Sequence, residues 1–460
     1  EITRGKSFEM IVADEYSRIA PEEAQRLYLD ICTLHRFDIP VRAGIVSRIS
    51  GISFRDFETE FFEPLQDLVY SKQNSTTGDW EYTTRHSIVS DMVFNQICRT
   101  DADRRDQIVR VIDGLDTSYR SDEMALSQLI RGKSLAETFE DIGLARQVYD
   151  IAVRRNPSKL YLHQQRSILE YNHKRGSLEE AEKAIVEALT ADRDNPSFLH
   201  TQAQVFRRMS LVSKSDFARQ TLRSKSRATL DKISDQGNSY VLGTRARLRV
   251  DAVSDALEKL KQNGSTAYED DLADAIDQAE MALHRAFNMY PADPDFLEAE
   301  SKLKDLMGDT AASTDLLERA WAKMPRGSGI AKRLARRHLQ SKRTDAAIKV
   351  LAEAIDRDPS DRSVNLLLAD IYFEQSGDLE DSSGHRYLAQ SFVHGDREYF
   401  SRFVASAVAF ARNEFENAFS LVDELERRAP SDFYPSLGRM ERWLSEKLRG
   451  RKGTLVSTFG

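Results

Sequence analysis

A step of 34 residues constrains this chain more than any other feature in it. Ala286, Ala320 and Ala354 keep that step, as do Pro291, Pro325 and Pro359, and Leu283, Leu317 and Leu351 stand three residues ahead of each alanine. Leucine and alanine three apart share one helix face. The alanine lets a neighbouring helix approach closely, and a proline shortly afterwards stops the helix. A period of this length is that of a helix–turn–helix unit. One such unit cannot bury its own apolar face, so copies must stack into a solenoid, an architecture that presents surfaces for holding a partner.

The offsets recur along the chain and read as tetratricopeptide-like. Ala145, Tyr149 and Ala152 precede Pro157, and Ala181, Ile185 and Ala188 form a second copy with Gly176 in its turn. Residues 197–262 are less regular: Ala218 and Leu222 fit second-helix positions, Tyr240 to Leu260 reads as one long helix, and Asn263-Gly264-Ser265 breaks it. Three strong copies follow, around Ala279 to Pro291, Leu317 to Pro325 and Ala347 to Pro359. A helix from Ser363 comes next, with a Gly/Ser/Asp-rich turn at Gly377 to Gly384. A last copy keeps Ala418, Val422 and Pro430, with Leu425 in the small-residue place. Roughly seven helix pairs fill the length, so residues 116–450 are expected to form the array and 451–460 a tail.

Composition narrows the function. The net charge of −8 gives no global attraction to nucleic acid or anionic membrane. No apolar run approaches the roughly 20 residues that span a bilayer. Cys32 and Cys98 lack metal-ligand spacing, which suits a reducing cytoplasm. The histidines show no paired ligand spacing, no serine or cysteine sits in a nucleophile elbow, and the acidic run Glu269 to Asp277 lacks a calcium-loop pattern. No phosphate loop is present; Gly450-Arg451-Lys452-Gly453-Thr454 lacks its spacing and its preceding strand. The reading is a non-enzymatic chain with no catalytic residue, no metal site and no cofactor of its own.

The first hundred residues differ from the rest. Ala20 to Phe37 reads as a helix with Pro21, Glu22 and Glu23 suited to its first turn. A short helix at Val41 to Ile49 ends at Gly51, and Ser53 can cap a third whose apolar face is Phe54, Phe57, Phe61 and Phe62. Strand-like runs at Leu65 to Tyr70 and Trp80 to Tyr82 flank a polar loop. Three helices and a hairpin make the order of a winged helix, placed at residues 20–115. Residues 1–19 read as a lead-in from a missing N-terminal region, since the chain begins at Glu1 without a methionine or signal pattern.

After the hairpin come Thr84-Arg85-His86-Ser87-Ile88-Val89 and a helix through Met92, Val93 and Phe94. An aromatic-rich wing followed by Arg-His and a small helix resembles the winged-helix module behind the ATPase core of STAND-class NTPases, the class that includes bacterial antiviral sensors. Ile88 follows His86 after one residue, where that pattern has two. The resemblance implies that ATP or ADP with Mg belongs to the full-length protein, and that the winged helix packs over the nucleotide. On this view His86, with Arg85 beside it, contacts the phosphates of the resting form, and an effector domain would lie upstream. The residues alone leave open a purely local role, with both side chains bonded at a helix start.

One further stretch carries chemistry. Between Arg326 and Arg343 there are seven Lys/Arg and no acid, and Lys332, Arg333, Arg336 and Arg337 fall at spacings that gather them on one side of a helix. Such a face can clasp an acidic protein segment or a phosphate backbone, or it can be paired with acids of the neighbouring repeat such as Asp361 or Asp370. The reading is therefore a mostly α chain: a small winged-helix domain followed by a tetratricopeptide-like α-solenoid. It forms the sensing half of a STAND-type NTPase, with a protein ligand on the array, a phage component among the candidates, homo-oligomerisation on activation and no membrane contact. A free-standing tetratricopeptide scaffold or co-chaperone is one alternative. A DNA-binding regulator, with Arg42, Arg48 and Arg55 on its second and third helices, is the other.

Overall fold

In a computed structural model, the described residues are 8–376 apart from 76–77, 235–237, 265, 292, 324–327 and 359–360, and beyond them 383–384, 386–387 and 420. Pro325, Pro359, Arg326, the last copy at Ala418, Val422 and Pro430, and the 451–460 tail lie outside them. Contacts divide the chain into two compact units, with the limit between Arg208 and Met209.

The first unit opens with α1 (Phe8–Ser17) and α2 (Glu22–His35), whose first turn carries Glu22 and Glu23 against the positive helix end. Strand β1 (Val41–Arg42) leads into α3 (Ala43–Ser50), which Gly51 ends in the left-handed conformation at φ 78°. Strands β2 (Val69–Gln73) and β3 (Trp80–Thr84) follow, then α4 (Ser87–Ile97). The sheet is antiparallel in the order β1-β3-β2, with Val41 opposite Tyr82 and Tyr70 opposite Thr83.

The expected third helix is reduced to one π-helical turn, Glu58–Phe62. Ser53 does not cap it; its hydroxyl donates to the Asp56 carboxylate at 2.6 Å. The aromatic residues explain the short turn. Phe57, Phe61 and Phe62 all close on Tyr82, with Phe61 edge-on at 4.9 Å between ring centroids, while Phe54 stays 64% exposed. Packing onto the sheet takes precedence over a continuous helical face. For the same reason Leu65 is buried ahead of the sheet, and β2 begins four residues later than its hydrophobic run suggests.

Helix α5 (Asp101–Gly114) starts at a reciprocal cap between Thr100 and Asp103. Then come α6 (Arg120–Leu129), α7 (Gly132–Thr138), α8 (Ile142–Arg155), α9 (Tyr161–Asn172), α10 (Leu178–Ala191) and α11 (Pro196–Val212). On α8 the residues Ala145, Tyr149 and Ala152 are fully buried, and on α10 so are Ala181, Ile185 and Ala188. The Tyr149 hydroxyl donates to the Ile130 carbonyl at 2.6 Å. A single apolar core runs from Val12 to Leu169, joining the sheet to the first repeat helices.

The second unit contains α12 (Asp216–Leu230), α13 (Ser239–Asn263), α14 (Thr266–Met289), α15 (Pro294–Leu306), α16 (Thr310–Lys323), α17 (Ser328–Gln340), α18 (Thr344–Arg357) and α19 (Arg362–Ser376). Helices α13 and α14, α15 and α16, and α17 and α18 pack as pairs, and α15 packs against α13 while α17 touches α19. Ala286 and Ala320 are fully buried, and Ala354 is nearly so, with Leu283, Leu317 and Leu351 beside them. The chain is thus mostly helical, with a small sheet and tetratricopeptide-like stacking of helix pairs. Helix α12 departs from the pattern: Ala218 and Leu222 are only half-buried, and its inner face is Arg223, Ser226, Thr229 and Leu230.

Candidate functional site

The two sets of residues that the sequence marks lie in different units. In the first, Arg85 and His86 connect β3 to α4, and both are exposed. His86 sits in extended backbone at the helix N-cap, where its Nδ1 accepts from the Ile88 N–H at 3.2 Å. With Nδ1 acting as acceptor, the neutral ring carries its proton on Nε2, leaving that N–H available for an outside oxygen. Arg85 forms an ion pair with Glu15 on α1.

Behind this junction lies a polar cluster that the sequence does not flag. His35, on α2, is buried, and its Nδ1 accepts from the Thr84 N–H at 3.3 Å while lying 2.9 Å from Thr84 Oγ1 and 3.2 Å from Ser90 Oγ. It ties α2 to the β3–α4 corner that carries Arg85 and His86. Burial holds the His35 imidazole below its ordinary pKa; nearby Asp38 opposes this and His86 adds to it. A histidine kept neutral in the fold but free to ionise when unfolded costs stability in acid. Stability from this group is therefore expected to be level above the unfolded value of about 6.5 and to fall as pH drops below it. Urea midpoints of the first unit should show that slope, and His35→Gln, which keeps an acceptor for the Thr84 N–H, should flatten it.

Other reactive groups in this unit are structural. Cys32 and Cys98 are free, buried thiols, each pushed up to about 12 by desolvation, so neither is a nucleophile near neutral pH. Arg42 and Arg48, on the face expected to meet DNA, are turned onto the buried Asp122 of α6, and the Arg42 guanidinium also stacks on Tyr119 at 4.1 Å.

In the second unit the basic residues of α17 take partners on two flanks. Arg333 pairs with Glu298 at 2.6 Å and Arg337 with Asp305, both acids on the preceding first helix α15. Lys332 turns the other way and donates to Ser363 Oγ at the start of α19. Arg336 is exposed and makes no ion pair among the described residues. The expected partner Asp361 instead caps α19, accepting from the Val364 N–H at 2.9 Å, and Asp370 is buried. The same bridging runs back to α13, through Arg247 to Asp295 at 3.0 Å and Lys302 to Asp251 at 2.7 Å. Along α15, residues 295, 298, 302 and 305 fall at helical spacing and link alternately to the helix before and the helix after. The result is a charged ladder across successive first helices, with Arg336 as a cation left unpaired among the described residues.

Among the described residues no cluster of histidine, cysteine and carboxylate could hold a metal, and no helix is long and apolar enough to cross a membrane.

Residues 306–371 match the tetratricopeptide repeat family. No curated protein matches the chain. Among solved structures it is similar to a thermophilic tetratricopeptide protein of Thermus thermophilus, at 16% identity over 46% of this chain and 98% of that one, with a TM-score of 0.36. It is also similar to a signal transduction ATPase with numerous domains, a STAND protein with a tetratricopeptide repeat sensor from Pyrococcus horikoshii. There the identity is 15% over 96% of this chain and 68% of that one, with a TM-score of 0.36. A third is the human IFIT1 dimer with m7Gppp-AAAA, at 14% identity, 80% and 83% coverage and a TM-score of 0.40. These are likenesses of helical-repeat fold.

Proposed function

We propose that this chain is the sensing and autoregulatory half of a STAND-type NTPase, in which the repeat array binds a protein ligand and a winged helix relays that event to a nucleotide. The observation that carries the reading is the Arg85–His86 pair, exposed at the start of α4 with the His86 Nε2–H free to meet a phosphate oxygen. The order of β1, α3 and the β2–β3 hairpin suits a winged helix over residues 20–115, with the array over 116–450 and residues 1–19 leading in from an ATPase core. The core continuous from Val12 to Leu169 supports the relay, because a module sharing a core with the first repeat helices moves with them. ATP or ADP with Mg would be bound by the upstream part, and catalysis would belong there. The ligand, a phage protein in an antiviral sensor, must bind the active arrangement better than the resting one, or it shifts nothing. Release from the nucleotide would then permit homo-oligomerisation in the cytoplasm.

A free-standing scaffold is the second reading, and the Arg85–Glu15 pair favours it by giving Arg85 a local role. The two readings part on the upstream gene sequence: a phosphate loop in frame supports the STAND assignment and its absence removes it. The DNA-binding alternative loses two of its three cations, since Arg42 and Arg48 are held by Asp122 and Arg55 alone is exposed.

For ligand capture, reversing Lys332, Arg333, Arg336 and Arg337 to glutamate should abolish co-purification of the partner from infected cells, and Arg336→Glu, which breaks no ion pair among the described residues, should weaken it with helix content unchanged. Retained capture would place the contact elsewhere on the array.

A further inference from the structure

Between the second helix of one pair, α16, and the first helix of the next, α17, lies a groove of about 540 Å3 lined by Thr314, Asp315, Glu318, Arg337, Ser341 and Arg343. Its charges are unequally engaged. Arg337 is committed to Asp305 and to Gln340 Oε1 at 3.0 Å. The carboxylates of α16 are not. Among the described residues Asp315 has only Arg319, at 3.8 Å and with both side chains exposed. Glu318 has Arg343 and the His338 ring each at 4.0 Å, beyond hydrogen-bond reach.

His338, on α17, stands beside Glu318. It is 4% exposed, its Nε2 faces the Glu318 carboxylate, and its Nδ1 has no hydrogen-bond partner among the described residues. Desolvation lowers its pKa, as does Arg343, and both outweigh the opposing pull of Glu318, so the ring favours its neutral form and leaves the charge of Glu318 uncancelled. Two loosely held acids, three residues apart on one helix face, therefore meet a single loosely held base, Arg343, in a groove large enough for an extended chain.

We propose that this groove takes an arginine or lysine side chain from an extended segment of the array's protein ligand. The cation sits between Asp315 and Glu318, and Arg343 turns to a backbone carbonyl of that segment. The assignment rests on the reading that the array binds a protein, and it specifies the ligand's chemistry at one place. A guanidinium is favoured over an ammonium because its planar fork can serve both carboxylates at once.

The methyl group of Ala311 lines the same groove and reports occupancy. The test uses the full chain labelled with 13C at its alanine methyls, titrated with acetyl-Gly-Arg-Gly-amide and with the citrulline analogue, which has the same shape without the charge. The arginine peptide should move the Ala311 signal at millimolar concentration and the citrulline peptide should not. Glu318→Gln should weaken the arginine peptide about two- to fivefold, with Asp315→Asn as an independent second variant and the buried Ala320 and Ala335 signals checking the fold. A silent Ala311, an equal response to citrulline, or unchanged affinity in both variants would overturn the proposal. Ligand capture by the intact array alongside any of these results removes this subsite alone, whereas a specific arginine response without capture leaves the subsite and removes the sensor reading.

Discussion

Alanine in place of Asp122 is expected to cost the first unit about 3–5 kcal/mol, the range for removing one partner of a buried charge network. The carboxylate is fully buried and accepts from Arg42 Nη2 at 3.1 Å, from Arg48 and from the Asp116 N–H at 3.0 Å. The Ser121 hydroxyl donates to it as well, at 3.1 Å. Loss of the carboxylate removes the acceptor of all four donors, and Arg42 has little solvent to turn to, its side chain being only 12% exposed. Asp122→Asn keeps the volume and an acceptor and should cost less, about 1.5–3 kcal/mol. Hydrogen exchange read separately over residues 8–208 and over the second unit checks both. Loss of protection is expected in the first unit only, and a cost below about 1 kcal/mol would mean that the guanidinium groups find water once the acid is gone.

Gly132→Ala is the second large effect. A β-carbon at this position would lie 2.2 Å from the Gln165 carbonyl oxygen, 2.6 Å from the Leu169 nitrogen and 2.8 Å from Ile168 Cβ. The first two are backbone atoms of α9 and cannot rotate away. The Gly132 N–H also donates to Gln165 Oε1 at 2.9 Å, so the start of α7 is held at that distance. Forcing α7 and α9 apart should cost about 3 kcal/mol, at the upper end for overpacking. Denaturant unfolding would measure this, and a neutral result would show that α7 can slide along α9. The Asp122 variants act where the sheet module meets the helices that follow it, so they would also loosen the mechanical link that the proposed relay needs.

The part of this architecture legible in the sequence is the part fixed by close helix packing. Ala286 and Ala320 mark positions where no larger side chain fits, and they announce themselves at a fixed step. Where packing is done by polar groups the signal disappears. Helix α12 buries Arg223 against Asp255 together with Ser226 and Thr229, so no apolar period is present to read, and Ala218 and Leu222 suggest a face that the structure leaves half-open. The Phe54 to Phe62 run shows the opposite failure. It has helical spacing, but a long-range aromatic cluster on Tyr82 decides the conformation.

Charge is harder still to read. Lys332, Arg333, Arg336 and Arg337 have one-sided spacing, but their partners are chosen by α15 on one flank and α19 on the other, and neither choice is local. The network on Asp122 joins residues 74 and 80 positions apart, and His35 reaches Thr84 and Ser90 across 49 and 55. Only the placement of Arg85 and His86 at a helix start was visible from the residues themselves.

If His86 meets nucleotide in the resting full-length protein, as proposed, the nucleotide that co-purifies with that protein reports it most directly. His86→Ala removes both the helix cap and the phosphate donor, so His86→Asp is the sharper variant: aspartate is a strong N-cap and keeps α4, but it sets a negative charge against the phosphates. The account predicts full-length protein with intact α4, depleted of bound ADP and raised in basal activity. Unchanged ADP content and unchanged basal activity in His86→Asp would contradict it and leave His86 as a helix cap alone.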